Sequence, residues 1–300
     1  MTILIGLVPG RRDDAAVHLG ARLARSSAED VVVIAVVPEP WPPDPLQRDK
    51  EYRAYQDRLA DQALGRARLQ LGGTSTNVEY LLRRAESVPA GLLEVIEERP
   101  IDSLVLGSSS MGLLGRVTLG GVAERILHSA ELPVVVAPRA FQDDGTTRIS
   151  QVSAAFGRAD RDRRLLARAA SAARTLGAPL RVVCFAVRPM AGYVGAIEAS
   201  AEALVTGEWM KRLEDDVATA LTSATEGPGQ AGSTSTATQV ETVLGQGSTW
   251  SQALRDVDWS DGDLLVVGTS SGPLSRFYLG SHAVKIIRSS PVPVLLLPRD

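Results

Sequence analysis

The chain has 300 residues, of which 44% are hydrophobic, 22% charged and 4% aromatic, with a formal net charge of -3. That length fits about two ordinary domains with buried cores, and near-balanced charge gives no electrostatic ground for nucleic acid or an anionic membrane as partner. A single cysteine, Cys184, excludes an internal disulfide and a cysteine metal cluster, and His18, His128 and His282 do not fall in a metal-ligand spacing such as HExxH.

The opening run "MTILIGLVPGRRDD" is too short for a signal peptide, and no stretch approaches the roughly 20 apolar residues of a membrane span. The expectation is a cytoplasmic protein with no membrane insertion. Apolar, β-branched runs predict strands at 3–8, 31–37, 78–82, 104–107 and 133–137. Helical periodicity fills the intervals at 13–25, 50–71, 89–98 and 117–129. Runs such as "DVVVIAVV" are apolar on both faces, which a parallel sheet covered by helices on each side requires.

After the second strand comes "PEPWPPDPLQRDKEYRAYQDRL", residues 38–59, with five prolines beside Trp41, Tyr52 and Tyr55. It reads as a stiff cover over the sheet edge, or as a lid or partner surface. Polar "AFQDDGTTR", residues 140–148, predicts a linker between residues 1–139 and 149–300.

The second part repeats the order, with strands predicted at 149–156, 181–187, 240–243, 264–268 and 292–297 and a long helix at 198–225. "EGPGQAGSTSTATQ", which follows that helix, reads as a surface loop. Cys184 reads as a buried structural thiol, and Trp209 and Trp250 as packing anchors. The duplication is clearest where "DSLVLGSSSMGLLGRVTLGGVAERILHSAELPVVVAPR" meets "GDLLVVGTSSGPLSRFYLGSHAVKIIRSSPVPVLLLPR". Gly120 and Gly280, Pro133 and Pro293, and Pro138 and Pro298 each lie 160 positions apart. A period of that length means two whole domains and not a solenoid.

On these motifs the chain resembles a tandem universal stress protein over nearly its whole length. The resemblance implies an α/β fold with two repeated, doubly wound, mostly parallel five-stranded sheets of order 3-2-1-4-5, Rossmann-like and of the adenine nucleotide alpha hydrolase type. It implies an internal pseudo-dimer of the two halves through the final strands, "LPVVVAP" and "VPVLLLP". It leaves open a homodimer of whole chains and a protein partner that the sequence does not identify.

Nucleotide-binding members resemble one another in a loop Gly-x2-Gly-x9-Gly-[Ser/Thr] after strand 4 and an aspartate ending strand 1. Glycines let backbone N–H groups approach phosphate, and the next helix adds its positive end. The matching positions here are Gly107, Ser110, Gly120 and Gly121 in the first half and Gly268, Ser271, Gly280 and Ser281 in the second, whose loop is one residue shorter. A serine forced to φ > 0 in place of glycine would cost roughly 1 kcal/mol. Val8 and either Ala155 or Phe156 stand near the aspartate position, so neither half keeps the whole pattern. Hydroxyls of Ser108, Ser109, Ser110, Thr269, Ser270 and Ser271, and the charges of Arg116 and Arg276, are the groups left to meet ATP or AMP. In the competing reading those serines only turn the chain, with Ser281 as a helix N-cap.

Catalysis finds no support in the motifs. "GSSSM" and "GTSSG" do not fit a GxSxG nucleophile elbow, no GxxxxGK[ST] is present, and the turns after strand 1 lack GxGxxG. Asp102, Asp261 and Asp263 fall at the end of strand 4 away from the loops. Two classes therefore stay open: a non-enzymatic stress-response binding protein with degenerate nucleotide loops, and an ATP- or AMP-sensing module.

Overall fold

The apolar runs of the first half form β1 (Thr2–Leu7), β2 (Asp30–Pro38), β3 (Val78–Ala85), β4 (Ser103–Gly107) and β5 (Val134–Ala137). Those of the second half form β6 (Gln151–Ala155), β7 (Leu180–Val187), β8 (Glu241–Gly247), β9 (Asp263–Gly268) and β12 (Val294–Leu297). Between β9 and β12 lies a hairpin absent from the sequence expectation, β10 (Ser270–Gly272) and β11 (Ser275–Tyr278). The helices are α1 (Ala15–Ser27), α2 (Lys50–Leu71), α3 (Val88–Glu98), α4 (Gly121–Ser129), α5 (Ala159–Leu176), α6 (Trp250–Arg255) and α7 (Ser281–Ser289). The structure, a computed structural model, describes residues 2–11, 13–39, 50–74, 76–157, 159–187, 240–272, 275–278 and 280–298, with the helical positions 208, 211, 215 and 217–219. The proline-rich residues 40–49, Trp209, most of the predicted 198–225 helix and the 226–239 loop lie outside the described residues.

Within the main sheet each half orders its strands 3-2-1-4-5 with all neighbours in a half parallel, and the β10–β11 hairpin pairs antiparallel apart from it. The halves join into one ten-stranded sheet, β3-β2-β1-β4-β5-β12-β9-β6-β7-β8. The seam is antiparallel, with Val294 opposite Val136, Leu295 opposite Val135 and Leu296 opposite Val134. Its strands are buried throughout because helices cover both faces. On one face α1, α2 and α5 pack over Ile5, Val33, Val135, Val152, Val182 and Leu295 in a single apolar layer shared by both halves. On the other, α3, α4, α6 and α7 cover Leu4, Ile34, Val134, Val136, Leu265 and Leu296. Cys184 is buried within β7. Trp250 packs its ring between Phe185 and His282, at centroid distances of 6.4 and 5.2 Å.

The predicted helix at 117–129 begins four residues late. Val117 and Thr118 are held in the preceding loop, where the Ser109 N–H donates to Thr118 O at 2.8 Å, and Gly120 takes the N-cap position.

The 140–148 segment is anchored by buried charge. Arg22 of α1, 1% exposed, donates through Nε to Asp143 at 3.1 Å, through Nη2 to the Asp261 carboxylate at 3.1 Å and through Nη1 to the Asp261 carbonyl. Its guanidinium also lies 4.6 Å from the Phe141 ring centroid. Arg25 donates to both oxygens of Asp143 at 2.6 Å and to Thr147 O at 3.0 Å. The Asp143 N–H in turn donates to His18 Nδ1 at 3.2 Å. One arginine thus fastens the first helix, the segment between the halves, and the turn before β9 in the second half.

Arg22→Ala removes a fully buried cation from Asp143 and Asp261 and should lower unfolding free energy by about 3 kcal/mol, read as a shift in the urea midpoint at unchanged m-value. Burial pushes the His18 imidazole below its usual value of 6.5, against the opposing pull of Asp143 and Asp14. The folded state therefore favours the neutral ring, and stability should be full above pH 6.5 and decline as the pH falls through the lowered value. His18→Gln should flatten that acid-side decline in melts recorded from pH 7 to pH 5.

Candidate functional site

Strand order reverses between β1 and β4, so a crevice opens above their C-terminal ends, where ligands bind in doubly wound sheets. In the first half its walls are the β1–α1 turn, Gly107 at the end of β4, and the loop running to Gly120 and Gly121. Val8 is 40% exposed at the mouth. Gly107 faces the start of α1, since a Cβ placed on it would lie 4.0 Å from the Ala16 nitrogen. On the α1 side of the crevice Asp13 accepts the Ala15 N–H at 3.1 Å, and Asp14 is ion-paired with Arg66, whose Nε donates to it at 2.9 Å.

The loop after β4 uses its hydroxyls unevenly. Ser108 is buried, and its Oγ donates to Ala137 O at 2.7 Å and accepts the Thr118 N–H at 3.0 Å. That hydroxyl closes the loop onto β5 and has no hydrogen left for a ligand. Ser109 Oγ accepts the Met111 N–H at 3.4 Å, and Ser110 is exposed. The strain expected at Ser110 is not present: among the described non-glycine residues the positive φ values belong to Ala28 and Ala140, and the loop turns instead at Gly115, φ +67°.

Arg116 is also turned away from the crevice. Its Nη1 donates to Ser289 O at 2.5 Å, at the C-terminal end of α7 in the other half. Carbonyls of a helix's last turn lack partners and carry partial negative charge, so a guanidinium there is well placed. Burial and the neighbouring Arg255 draw the Arg116 pKa down. Arg139 holds the loop from the other side: its N–H donates to Arg116 O at 3.0 Å, its carbonyl accepts the Gly115 N–H at 3.0 Å, and its Nη1 donates to Gly112 O at 2.6 Å.

The second half repeats the closure with different means. Thr269 is buried, and its N–H donates to Leu297 O at 3.0 Å, the counterpart of Ala137 O. Gly268 pairs with Leu297 at the end of β9. Ser270 pairs with Tyr278 across the hairpin as Ser109 pairs with Thr118, and Ser271 sits within β10. β11 lies against α4 of the first half. At the strand 1 position Phe156 is buried, with its N–H donating to Val183 O at 2.9 Å.

Ser281 is not the N-cap of α7. Gly280 holds that position with φ -54° and ψ 152°, and Ser281 is the first helical residue. Gly120 caps α4 in the same way, and neither helix has a side-chain cap bond. Gly121, Ser281 and Ser110 are exposed, and a Cβ on Gly121 would meet nothing within 4 Å. Gly107 thus lies beside the start of α1 and Gly120 beside Ser109, while Ser110, Gly121 and Ser281 are exposed. Ser108 and Thr269 are drawn into the closures beneath.

Both halves carry one family's pattern: the universal stress protein family model matches residues 1–138 and 151–298. A universal stress protein of Mycobacterium tuberculosis is 37% identical over 305 residues, spanning 99% of this chain and all of that one. The chain belongs to the universal stress protein family. A Mycolicibacterium smegmatis universal stress protein is 31% identical over 142 residues, 45% of this chain and 47% of its own length. In fold the chain is similar to a universal stress protein of Archaeoglobus fulgidus, with a TM-score of 0.59 at 15% identity over 100% of this chain and 98% of that one. A Pseudomonas aeruginosa universal stress protein superposes with a TM-score of 0.54 at 16% identity, over 99% and 92%.

The loop geometry separates two serines that look alike in sequence. Ser108→Ala strands the Thr118 N–H and Ala137 O and should cost about 1–2 kcal/mol, whereas Ser110→Ala at an exposed position should stay within about 0.5 kcal/mol. Paired urea titrations of the two variants check both values.

Proposed function

We propose that this universal stress protein is a non-enzymatic, cytoplasmic stress-response binding protein. Residues 1–139 and 149–300 act as its two units, 140–148 as their joint, and the nucleotide loops of both units are degenerate. The observation that carries this reading is the redirection of polar groups: the Ser108 hydroxyl serves the fold, and the Arg116 guanidinium serves the end of α7. Phosphate approaching Gly107 would find neither. Val8 supplies no polar group where related sites have an aspartate for adenine. Among the described residues no three His, Cys, Asp or Glu side chains converge to hold a metal, and no helix is long and apolar enough to cross a membrane.

A second reading rests on α7. Its first turn starts at Gly280 without a side-chain cap and with exposed Ser281, so backbone N–H groups and one hydroxyl face the second crevice. ATP or AMP held there would make the chain a nucleotide sensor, with the outer helices as partner surface.

Isothermal titration distinguishes the two. The first reading expects no heat from ATP or AMP at high micromolar ligand. The sensor reading expects binding that Ser281→Asp abolishes and Gly121→Asp spares. Both substitutions are at exposed first-turn positions where an acidic side chain favours the helix, so folding is retained. Saturable heat removed by either substitution would sink the degenerate-loop reading for that half.

A further inference from the structure

We propose that Arg116 is a latch between the halves, which makes the 108–118 loop of the first half and α7 of the second half open and close as one unit. The order of the first loop is then set by the helix that begins where the second loop ends. The latch is a property of the chain itself and holds whether or not either crevice binds nucleotide.

On the α7 side the latch is seated in a fixed place. Ser289 is 8% exposed and Ser290 is fully buried. The Ser290 N–H donates to Ile287 O at 3.1 Å and its Oγ to Val292 O at 2.8 Å, which ties the end of the helix to the approach to β12. Ser251 Oγ of α6 donates to Ser289 Oγ at 3.4 Å. Into this corner Arg116 Nη1 donates to Ser289 O at 2.5 Å. Among the described residues no carboxylate lies within 4.0 Å of Arg116 to compete for its guanidinium.

On the loop side Arg116 is a node. Its N–H donates to Leu113 O at 3.2 Å, and its carbonyl accepts the Arg139 N–H at 3.0 Å. Arg139 in turn accepts the Gly115 N–H and donates through Nη1 to Gly112 O. Two residues beyond Arg116, the Thr118 N–H donates to Ser108 Oγ, and Thr118 O accepts the Ser109 N–H at 2.8 Å. A loop that lifts from β5 carries Arg116 with it and strips a buried carbonyl of its donor. Unwinding of the last turn of α7 withdraws Ser289 O and leaves a half-buried guanidinium without its partner. Each event makes the other easier, and the coupling is reciprocal.

The helix between these ends is short and anchored. α7 has nine residues, follows the β10–β11 hairpin of the second loop, and buries Ile286 and Ile287 in the core. At about 13 Å it is a rod whose two ends shift together. A hydrogen bond to a buried carbonyl is either made or lost, so the latch has two discrete arrangements, which is what a physical coupling requires. The reverse path runs through β11, which lies against α4, the helix that follows the 108–118 loop.

The test is native-state hydrogen exchange on the full chain, read at the Ser109, Gly112, Gly115 and Thr118 amides. Lys285→Gly, at an exposed position inside α7, weakens that helix and should speed exchange of its amides and of the four loop amides about fivefold. The Val33 and Ile34 amides of β2 should keep the rates of the parent. In Arg116→Gln the loop amides should exchange faster from the outset, and adding Lys285→Gly should change them by less than about 1.5-fold. Loop amides that keep parental rates in Lys285→Gly while those of α7 accelerate overturn the proposal. Equal acceleration with and without Arg116 does so too, as does the same acceleration at Val33 and Ile34, which would mark a loss of global stability.

Discussion

The antiparallel seam between β5 and β12 is the contact on which the rest of the architecture depends. Either strand alone would end its five-stranded sheet with unpaired N–H and C=O groups and a fully apolar face, a liability that folded proteins must cover. Pairing Val134–Val136 with Val294–Leu296 satisfies both ladders at once and merges the apolar layers above and below. The halves are consequently not two bodies touching at a surface. They share one core, and the helices of each half help to cover the strands of both.

Around that seam the halves have diverged. Each loop after the fourth strand closes onto the carbonyl of an equivalent residue, Ala137 or Leu297. One does so through a serine hydroxyl and a compact turn, the other through both the N–H and the hydroxyl of Thr269 and a two-stranded hairpin. Arg116 then ties the first loop to α7, and β11 rests on α4. Each loop is therefore braced by the last helix of the opposite half, which explains why loop groups that look available for a ligand have structural tasks.

Much of the fold was legible in the sequence because it is written in local periodicity. The continuous apolar runs marked β2, β4 and β9, the 160-residue repeat marked the duplication, and the pairing of the final strands was implied by the family resemblance. The 50–71 helix falls at the bounds its pattern predicts. Illegible were interactions whose partners are remote: Arg22 and Asp261 are 239 positions apart, and Arg116 and Ser289 are 173 apart. Nothing in the local pattern of α1 marked Arg22 and Arg25 as the buried arginines that make this pairing. At the candidate site the sequence identified the right loops but not the direction of each side chain. Ser108 and Ser110 differ only in whether the chain has turned inward or outward, and that is set by the Thr118 and Arg139 contacts.

The seam also sets a geometrical consequence. Because β5 and β12 run in opposite directions, the C-terminal ends of the first half's strands point one way and those of the second half the other. The two crevices accordingly open at opposite ends of the sheet. These poles are nevertheless coupled, because the loop at each one is held against the last helix of the opposite half, through Arg116 on Ser289 in one direction and β11 on α4 in the other.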